Sequence, residues 1–241
     1  MKIAVISDIH GNMDAFQAVL TDIDSNGLDT IISLGDMIGY GAQPETVLAE
    51  VRRRRMPALM GNHELAVVDP SYMNWFNDPA RQSLEKSIIM LSPDSIEYVS
   101  GLKPFLLMDE YYFVHGYPPK SPLVYLFQVS DENLVQTFQE MEYRLCFIGH
   151  THALELIVFD GFHIRRLPLR EGVTRLEKDN RYMINIGSVG QPRDGNNCAK
   201  YAILDSETDT IDIRFIPYNF RTAADKIIAA GLPAVHAKRL Y

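Results

Sequence analysis

Cysteine is nearly absent: Cys146 and Cys198 are the only two in 241 residues. Two thiols placed so far apart build neither a disulfide scaffold nor a C-x-x-C metal pair, and they are expected to stay reduced. Basic residues are in deficit too. Lys and Arg number 23 against 31 Asp and Glu, a formal charge of −8, which excludes the basic footprint of a general nucleic-acid binder. No apolar run approaches the ~18 residues of a membrane-crossing helix. Asp8 interrupts the first apolar run too early for a signal peptide, so a cytoplasmic protein without a membrane partner is expected. Repeats, linkers and low-complexity stretches are also lacking. The chain therefore reads as one domain over 1–241, and its 46% hydrophobic residues suffice for a sizeable core.

Several catalytic signatures are missing as well. There is no G-K-[ST] phosphate loop and no G-x-G-x-x-G. His63-Glu64 has no His at position 67, which rules out a zincin helix, and Gly187-Ser188-Val189-Gly190 lacks the first Gly of a nucleophile elbow.

What is present begins with an alternation of strand and helix signals. Residues 2–7 and 30–34 are short apolar runs suited to buried parallel strands, and residues 56–60 read as a third. Phe16, Val19, Leu20 and Ile23 recur at helical spacing before Asn26-Gly27, and Pro44 opens a second helix carrying Val47, Leu48 and Val51. Residues 70–102 read as a helical insertion. The rest is β-rich, with strands expected at 110–115, 143–148, 154–159, 162–168, 181–186, 199–205 and 210–216. Asp160-Gly161 marks a tight hairpin, and a last helix at about 220–230 stops at Gly231. The arginines at 52–55 read as a solvated helix end rather than an anion site.

Metal-binding residue types gather where these strands end. Asp8 and His10 follow the first strand, Asp36 the second, and Asn62 and His63 the third. His115 ends the strand at 110–115, and His150 and His152 follow the one at 143–148. Parallel strands bring such ends to one edge, where α/β sheets bind ligands. Asp8 and His10, two residues apart on an extended exit, are expected to clamp one ion from the same side. His150 and His152 repeat that spacing and could each serve one of two ions, while Asp36 has two oxygens with which to bridge. Each residue taken singly has an ordinary structural reading as a turn former, a cap or a hydrogen-bonded histidine. Together they fall on one edge. A donor set of imidazole, carboxylate and amide oxygen suits Mn, Fe, Co, Ni or Zn rather than Ca or Mg.

In that order, Asp8-Ile9-His10, Gly35-Asp36, Gly61-Asn62-His63-Glu64, His115-Gly116 and Gly149-His150-Thr151-His152 resemble the five-part signature of the calcineurin-like metallophosphoesterases. Met37-Ile38-Gly39-Tyr40-Gly41, Gly187 to Gly195 and Ala230-Gly231-Leu232-Pro233 resemble a compact, mostly prokaryotic branch. The sequence departs from the common pattern at Glu64, where many members carry Asp, and at Ile186, where many carry Pro. The resemblance implies an α/β fold, a four-layer αββα sandwich of two mixed sheets flanked by helices. It implies that Asp8, His10, Asp36 and His152 hold one divalent transition-metal ion and that Asp36, Asn62, His115 and His150 hold a second. It also implies a hydroxide bridging the ions that attacks phosphorus in line, with His63 as general acid. The substrate is expected to be a small phosphorylated molecule such as a nucleotide. A protein Ser/Thr phosphatase and a noncatalytic scaffold are the alternatives.

Arg193 could contact phosphate or pair with Asp194 or another carboxylate, and Asn12 could face substrate or cap the first helix. Tyr40, Tyr117, Tyr125 and Phe127 could flank a nucleobase or belong to the core. Residues 70–102 and 116–130 are expected to shape the substrate pocket.

Overall fold

Alternation along single strands dictates the layering seen in the computed structural model, which describes residues 1–241. In β1 (Lys2–Ile6), Ala4 and Ile6 enter one apolar cluster while Ile3 and Val5 enter another. β10 (Ala199–Asp205) divides the same way, with Tyr201 and Ile203 on one side and Ala202 and Leu204 on the other. In β4 (Tyr111–Val114), Tyr111 and Phe113 share the cluster of Ile3 and Val5, whereas Tyr112 and Val114 face a third cluster. β5 (Leu145–Ile148) repeats this with Leu145 and Phe147 against Cys146 and Ile148. A period-two pattern that is apolar on both faces can only be satisfied by cover on both sides. The middle cluster therefore lies between two sheets, and the outer clusters lie under helices.

The first sheet runs β2 (Thr30–Ser33), β1, β10, β11 (Thr210–Ile216), β8 (Gly172–Arg175). The second runs β3 (Phe105–Met108), β4, β5, β9 (Arg181–Ile186), β6 (Leu154–Phe159), β7 (Ile164–Leu167). Both are mixed. β1 pairs parallel with β2 but antiparallel with β10, and β4, β5 and β9 are mutually parallel between antiparallel edges.

The helices α1 (Met13–Ser25), α2 (Pro44–Arg53), α3 (Asn62–Val68), α4 (Asp78–Met90) and α5 (Pro93–Ser100) cover the first sheet through Phe16, Leu20, Val47, Leu48, Ala66, Leu84 and Val99. Across the second sheet, α6 (Asp131–Glu140) buries Leu134 and Phe138. α7 (Phe220–Ala229) and α8 (Ala234–Lys238) close the chain beside α1, and Gly231 takes φ +65° between them. The result is the four-layer αββα sandwich. No helix is long and apolar enough to cross a membrane.

The third strand expected at 56–60 does not form. Only two isolated bridges survive there, Ser33 with Ala58 and Leu59 with Lys103. Pro57 has no N–H to donate, and the chain turns at once into α3, so Asn62 and His63 open a helix instead of ending a strand. The hairpin after β6 has a four-residue turn: Phe159 pairs with Ile164, and Asp160 accepts N–H bonds from Phe162 and His163. β3, β8 and α6 lie outside the sequence expectation. Arg53 and Arg54 pair with Glu50, and Arg54 also with Asp24, which makes this basic run a charge-compensated helix end.

Candidate metal centre

The loops after β1 and β2 are zipped together by Asp8 N–H to Gly35 O (3.0 Å), His10 N–H to Asp36 O (2.9 Å) and Gly11 N–H to Met37 O (2.8 Å). The loops after β4 and β5 are joined by Gly149 N–H to His115 O (2.8 Å). His150 N–H then donates to Asp8 Oδ2 across the two sheets (3.1 Å). The backbone thus fixes the edge before any side chain is considered.

The donor residues are not on extended chain, which corrects the expected clamp geometry. Asp8, His10, Asp36, His150 and His152 all take positive φ, between 48° and 66°. Asp and His tolerate the left-handed region better than most side chains, but it is a strained choice, and such strain collects at functional sites. The turns converge the side chains all the same. Asp8, His10, Asp36 and His152 bring one donor atom each within 4.8 Å of one another, and Asp36, His115 and His150 do likewise. Asp36 is common to both groups. Asn62 Oδ1 lies 3.2 Å from His115 Nε2, which adds it to the second.

Hydrogen bonding on the far side of each ring fixes which nitrogen faces inward. His10 Nδ1, His115 Nδ1 and His152 Nδ1 meet the carbonyls of Ile38 (2.9 Å), Leu34 (3.2 Å) and Gln191 (2.7 Å), and His150 Nε2 meets that of Leu123 (3.3 Å). A carbonyl only accepts, so these nitrogens carry the protons, and the opposite nitrogen of each neutral ring presents a lone pair. Those lone pairs face each other: His10 Nε2 is 3.1 Å from His152 Nε2, and His115 Nε2 is 3.2 Å from His150 Nδ1. Two lone pairs cannot bond, so no hydrogen bond joins the first pair of rings, nor the second once His115 has lost its proton. Their spacing is instead that of neighbouring donors on one ion, about 3.0–3.6 Å for bonds of about 2.1 Å. Asp8 Oδ1, buried and without a hydrogen-bond partner, is 3.3 Å from His152 Nε2. These residues fit divalent metal.

The electrostatics agree. Burial pushes the Asp36 carboxyl up, but His115 and His63 outweigh it and hold the group well below the usual carboxylate range. Asp8 is likewise lowered, by His152 and His10 against burial. In return, although burial opposes it, Asp36 and Asp8 raise His115 from 6.5 to about 9. The two carboxylates hold a positive charge at this point, in the form of a proton when no ion is bound.

His63 stands slightly apart, with Nε2 3.9 Å from Asp36 Oδ2. Its Nδ1 is buried without a partner against Gly39, where a side chain would collide with the ring. Burial lowers its pKa to about 3, assisted by His10 and His115 and opposed by Asp36.

Glu64 has a part that the motif did not reveal. Its carboxylate accepts N–H bonds from Asp36 (2.8 Å), Met37 (2.7 Å), Ile38 (3.3 Å) and Gly61 (3.0 Å), tying the bridging loop to the first turn of α3. Gly61 is obligatory there, because a Cβ would strike Asp36. Asn185 on β9 similarly holds the 149–152 loop through Gly149 O (2.9 Å) and Thr151 Oγ1 (2.8 Å). Only their burial in strand and helix patterns could have drawn notice to these two.

The remaining candidates separate. Asn12 caps α1 through Ala15 N–H (3.1 Å) and donates to Gly190 O (2.8 Å) and Tyr218 Oη (3.2 Å), so its amide is taken up within the protein. Arg193 is exposed at the rim, where its guanidinium bonds Gln191 Oε1 (3.3 Å) and its backbone N–H bonds His152 O (3.2 Å); burial pushes Tyr40 up to about 12 and His152 down, and the Arg193 charge opposes the first shift and adds to the second. Asp194 pairs with Lys200 instead (3.0 Å). Tyr40 packs on His10 and His63, and Tyr125 lies flat on His150 with centroids 3.9 Å apart. Tyr117 packs against the α6 cluster and bonds Thr137, away from the donors.

Residues 1–209 match the calcineurin-like phosphoesterase superfamily domain. The chain belongs to the calcineurin-like phosphoesterase superfamily. Within it, an uncharacterized protein of Methanocaldococcus jannaschii is 33% identical over 244 residues, covering 99% of this chain and 97% of that one. The crystal structure of a metallophosphoesterase from Sphaerobacter thermophilus superposes with a TM-score of 0.84 at 28% identity, over 100% of this chain and 98% of that one. A hypothetical protein from Pyrococcus horikoshii gives 0.79 at 18% identity, over 100% and 97%, and bears on the fold alone. Calcineurin-like phosphoesterases act on phosphate esters, and the buried Asp and His cluster of this chain has the donors to hold divalent metal.

Proposed function

We propose that the chain is a dinuclear metal-dependent phosphoesterase acting on a small phosphorylated molecule. The observation that carries this reading is Asp36, whose carboxylate lies in both donor groups and is suited to bridge two ions. When bound, the two ions supply Lewis acidity to the phosphoryl oxygens and an activated water for in-line displacement.

The chain's own residues do the rest. Asp8, His10 and His152 hold one side of the bridge and Asn62, His115 and His150 the other, each ring locked by its carbonyl partner. Two carboxylates against two divalent ions leave a formal surplus of about two positive charges, which favours a phosphate anion. His63 rests neutral, because burial outweighs Asp36. An arriving phosphate adds negative charge beside the ring and raises its proton affinity, the condition for Nε2 to pass a proton to the leaving oxygen. Arg193, with no carboxylate partner, supplies a guanidinium fork at the rim.

The test is hydrolysis of bis(p-nitrophenyl) phosphate during titration with Mn, Fe, Co, Ni and Zn, run beside a phosphoprotein. Ester turnover saturating at two ions per chain supports the reading. Turnover of the phosphoprotein alone assigns a protein phosphatase, and inertness with every metal assigns a scaffold.

A further inference from the structure

Beside the donor cluster lies an aromatic slot of about 90 Å³, walled by the two segments expected to shape the substrate pocket. Tyr40, Trp75, Phe76, Leu123 and Tyr125 form its walls, and the buried Asn62 and His150 line its deep side. The walls come from the turn at Pro70–Trp75 leading into α4, the loop that follows β4, and Tyr40 in the loop after β2.

One wall is already stacked. Phe127 lies over Tyr125 with centroids 5.0 Å apart and 23° between planes, and Tyr125 lies over His150 at 3.9 Å and 20°. The other wall ends in Trp75, which is 71% exposed and paired with no other ring. A large planar side chain left in water at the rim of a cleft that a stacked Tyr125 and His150 also line presents an unused apolar face. The volume sets the size of what it takes. An enclosed cavity of about 150 Å³ holds a benzene ring, so a slot of about 90 Å³ cannot enclose one and takes a single ring only with its outer edge in solvent at the Trp75 end.

We propose that the slot binds one planar aromatic ring of the substrate, stacked on Trp75, and that Trp75 is the specificity-determining residue. The site thereby selects phosphate esters carrying a single flat ring next to phosphorus, since Asn62 and His150 belong to the donor group at the slot's deep side. The inference rests on the phosphoesterase reading for its substrate, though not for the binding itself.

Trp75 is the only tryptophan in the chain, so its fluorescence reports the slot directly. Manganese-loaded protein is titrated with p-nitrobenzylphosphonate and, separately, with methylphosphonate. Saturable quenching by the first and none by the second is expected. In parallel, Trp75→Ala should raise KM for bis(p-nitrophenyl) phosphate about 3- to 10-fold with kcat retained, and Trp75→Phe should restore it. Quenching no steeper than that of N-acetyltryptophanamide, or an unchanged KM in Trp75→Ala, overturns the slot. Saturable quenching in a protein that hydrolyses no ester overturns the hydrolase and leaves the ring site standing.

Discussion

Asp36 and His63 are neighbours, with Oδ2 and Nε2 3.9 Å apart, and are expected to fail in different ways. Asp36→Asn keeps the shape of the bridge but removes its charge, so both ions should be lost along with nearly all turnover, as measured by metal content after gel filtration. His63→Ala removes no member of either donor group. It should retain both ions and lose about 10²–10⁴-fold in rate, most with poor leaving groups. An empty metal site in His63→Ala would overturn that assignment. Glu64→Gln gives a third contrast. Its carboxylate gathers four N–H donors, and an amide turns an NH2 group towards some of them. A loss of about 1.5–3 kcal/mol in denaturant unfolding is expected, together with weaker metal binding through a displaced Asp36. The donor residues that the structure brings together were legible because each follows a strand at one sheet edge and because their order resembles a known signature. Glu64 and Asn185 were not, because a carboxylate or amide facing backbone N–H groups and carbonyls leaves no mark in composition or spacing.

Among the elements, β6, β9, β10 and β11 were legible because each carries a sustained apolar pattern against a core. β8 was not, since it pairs on one side only and buries none of its four residues. α6 buries only Leu134 and Phe138, too few to show a period, and its signal lay instead in the Ser130 cap, which accepts Asn133 N–H. The segment at 56–60 misled because an apolar run signals burial rather than pairing, and Pro57 breaks the ladder. The left-handed turns at the donor residues were also out of reach, for sequence shows which residues tolerate such a conformation and not where it is imposed. At this scale Asn12→Ala tests whether the α1 cap also holds the 187–195 loop through Gly190. Beyond a capping loss of about 1 kcal/mol, it should loosen that loop, read as faster amide exchange at Val189 and Gly190.

Across the whole molecule, protons and metal compete for the same point. In the metal-free protein His115 titrates near 9 in place of 6.5, so its contribution to stability is complete below about pH 6.5 and is lost as pH rises through about 9. The melting temperature of the chelated protein should therefore fall over that interval. Metal-loaded protein, whose His115 Nε2 lone pair is occupied, should not show this fall, and its metal affinity should weaken as pH drops below about 9 because the proton competes. The layered architecture was legible only in part: alternation announces strands, but two sheets back to back emerge only when both faces of one strand are found covered. That architecture also determines when metal can be captured. The donors come in two instalments, Asp8, His10 and Asp36 from one sheet and His115, His150 and His152 from the other, so neither sheet alone owns a complete cage. Ions taken up after the halves dock act as rivets through the seam, and tight metal uptake during refolding should lag behind strand formation and mark the moment the sandwich closes.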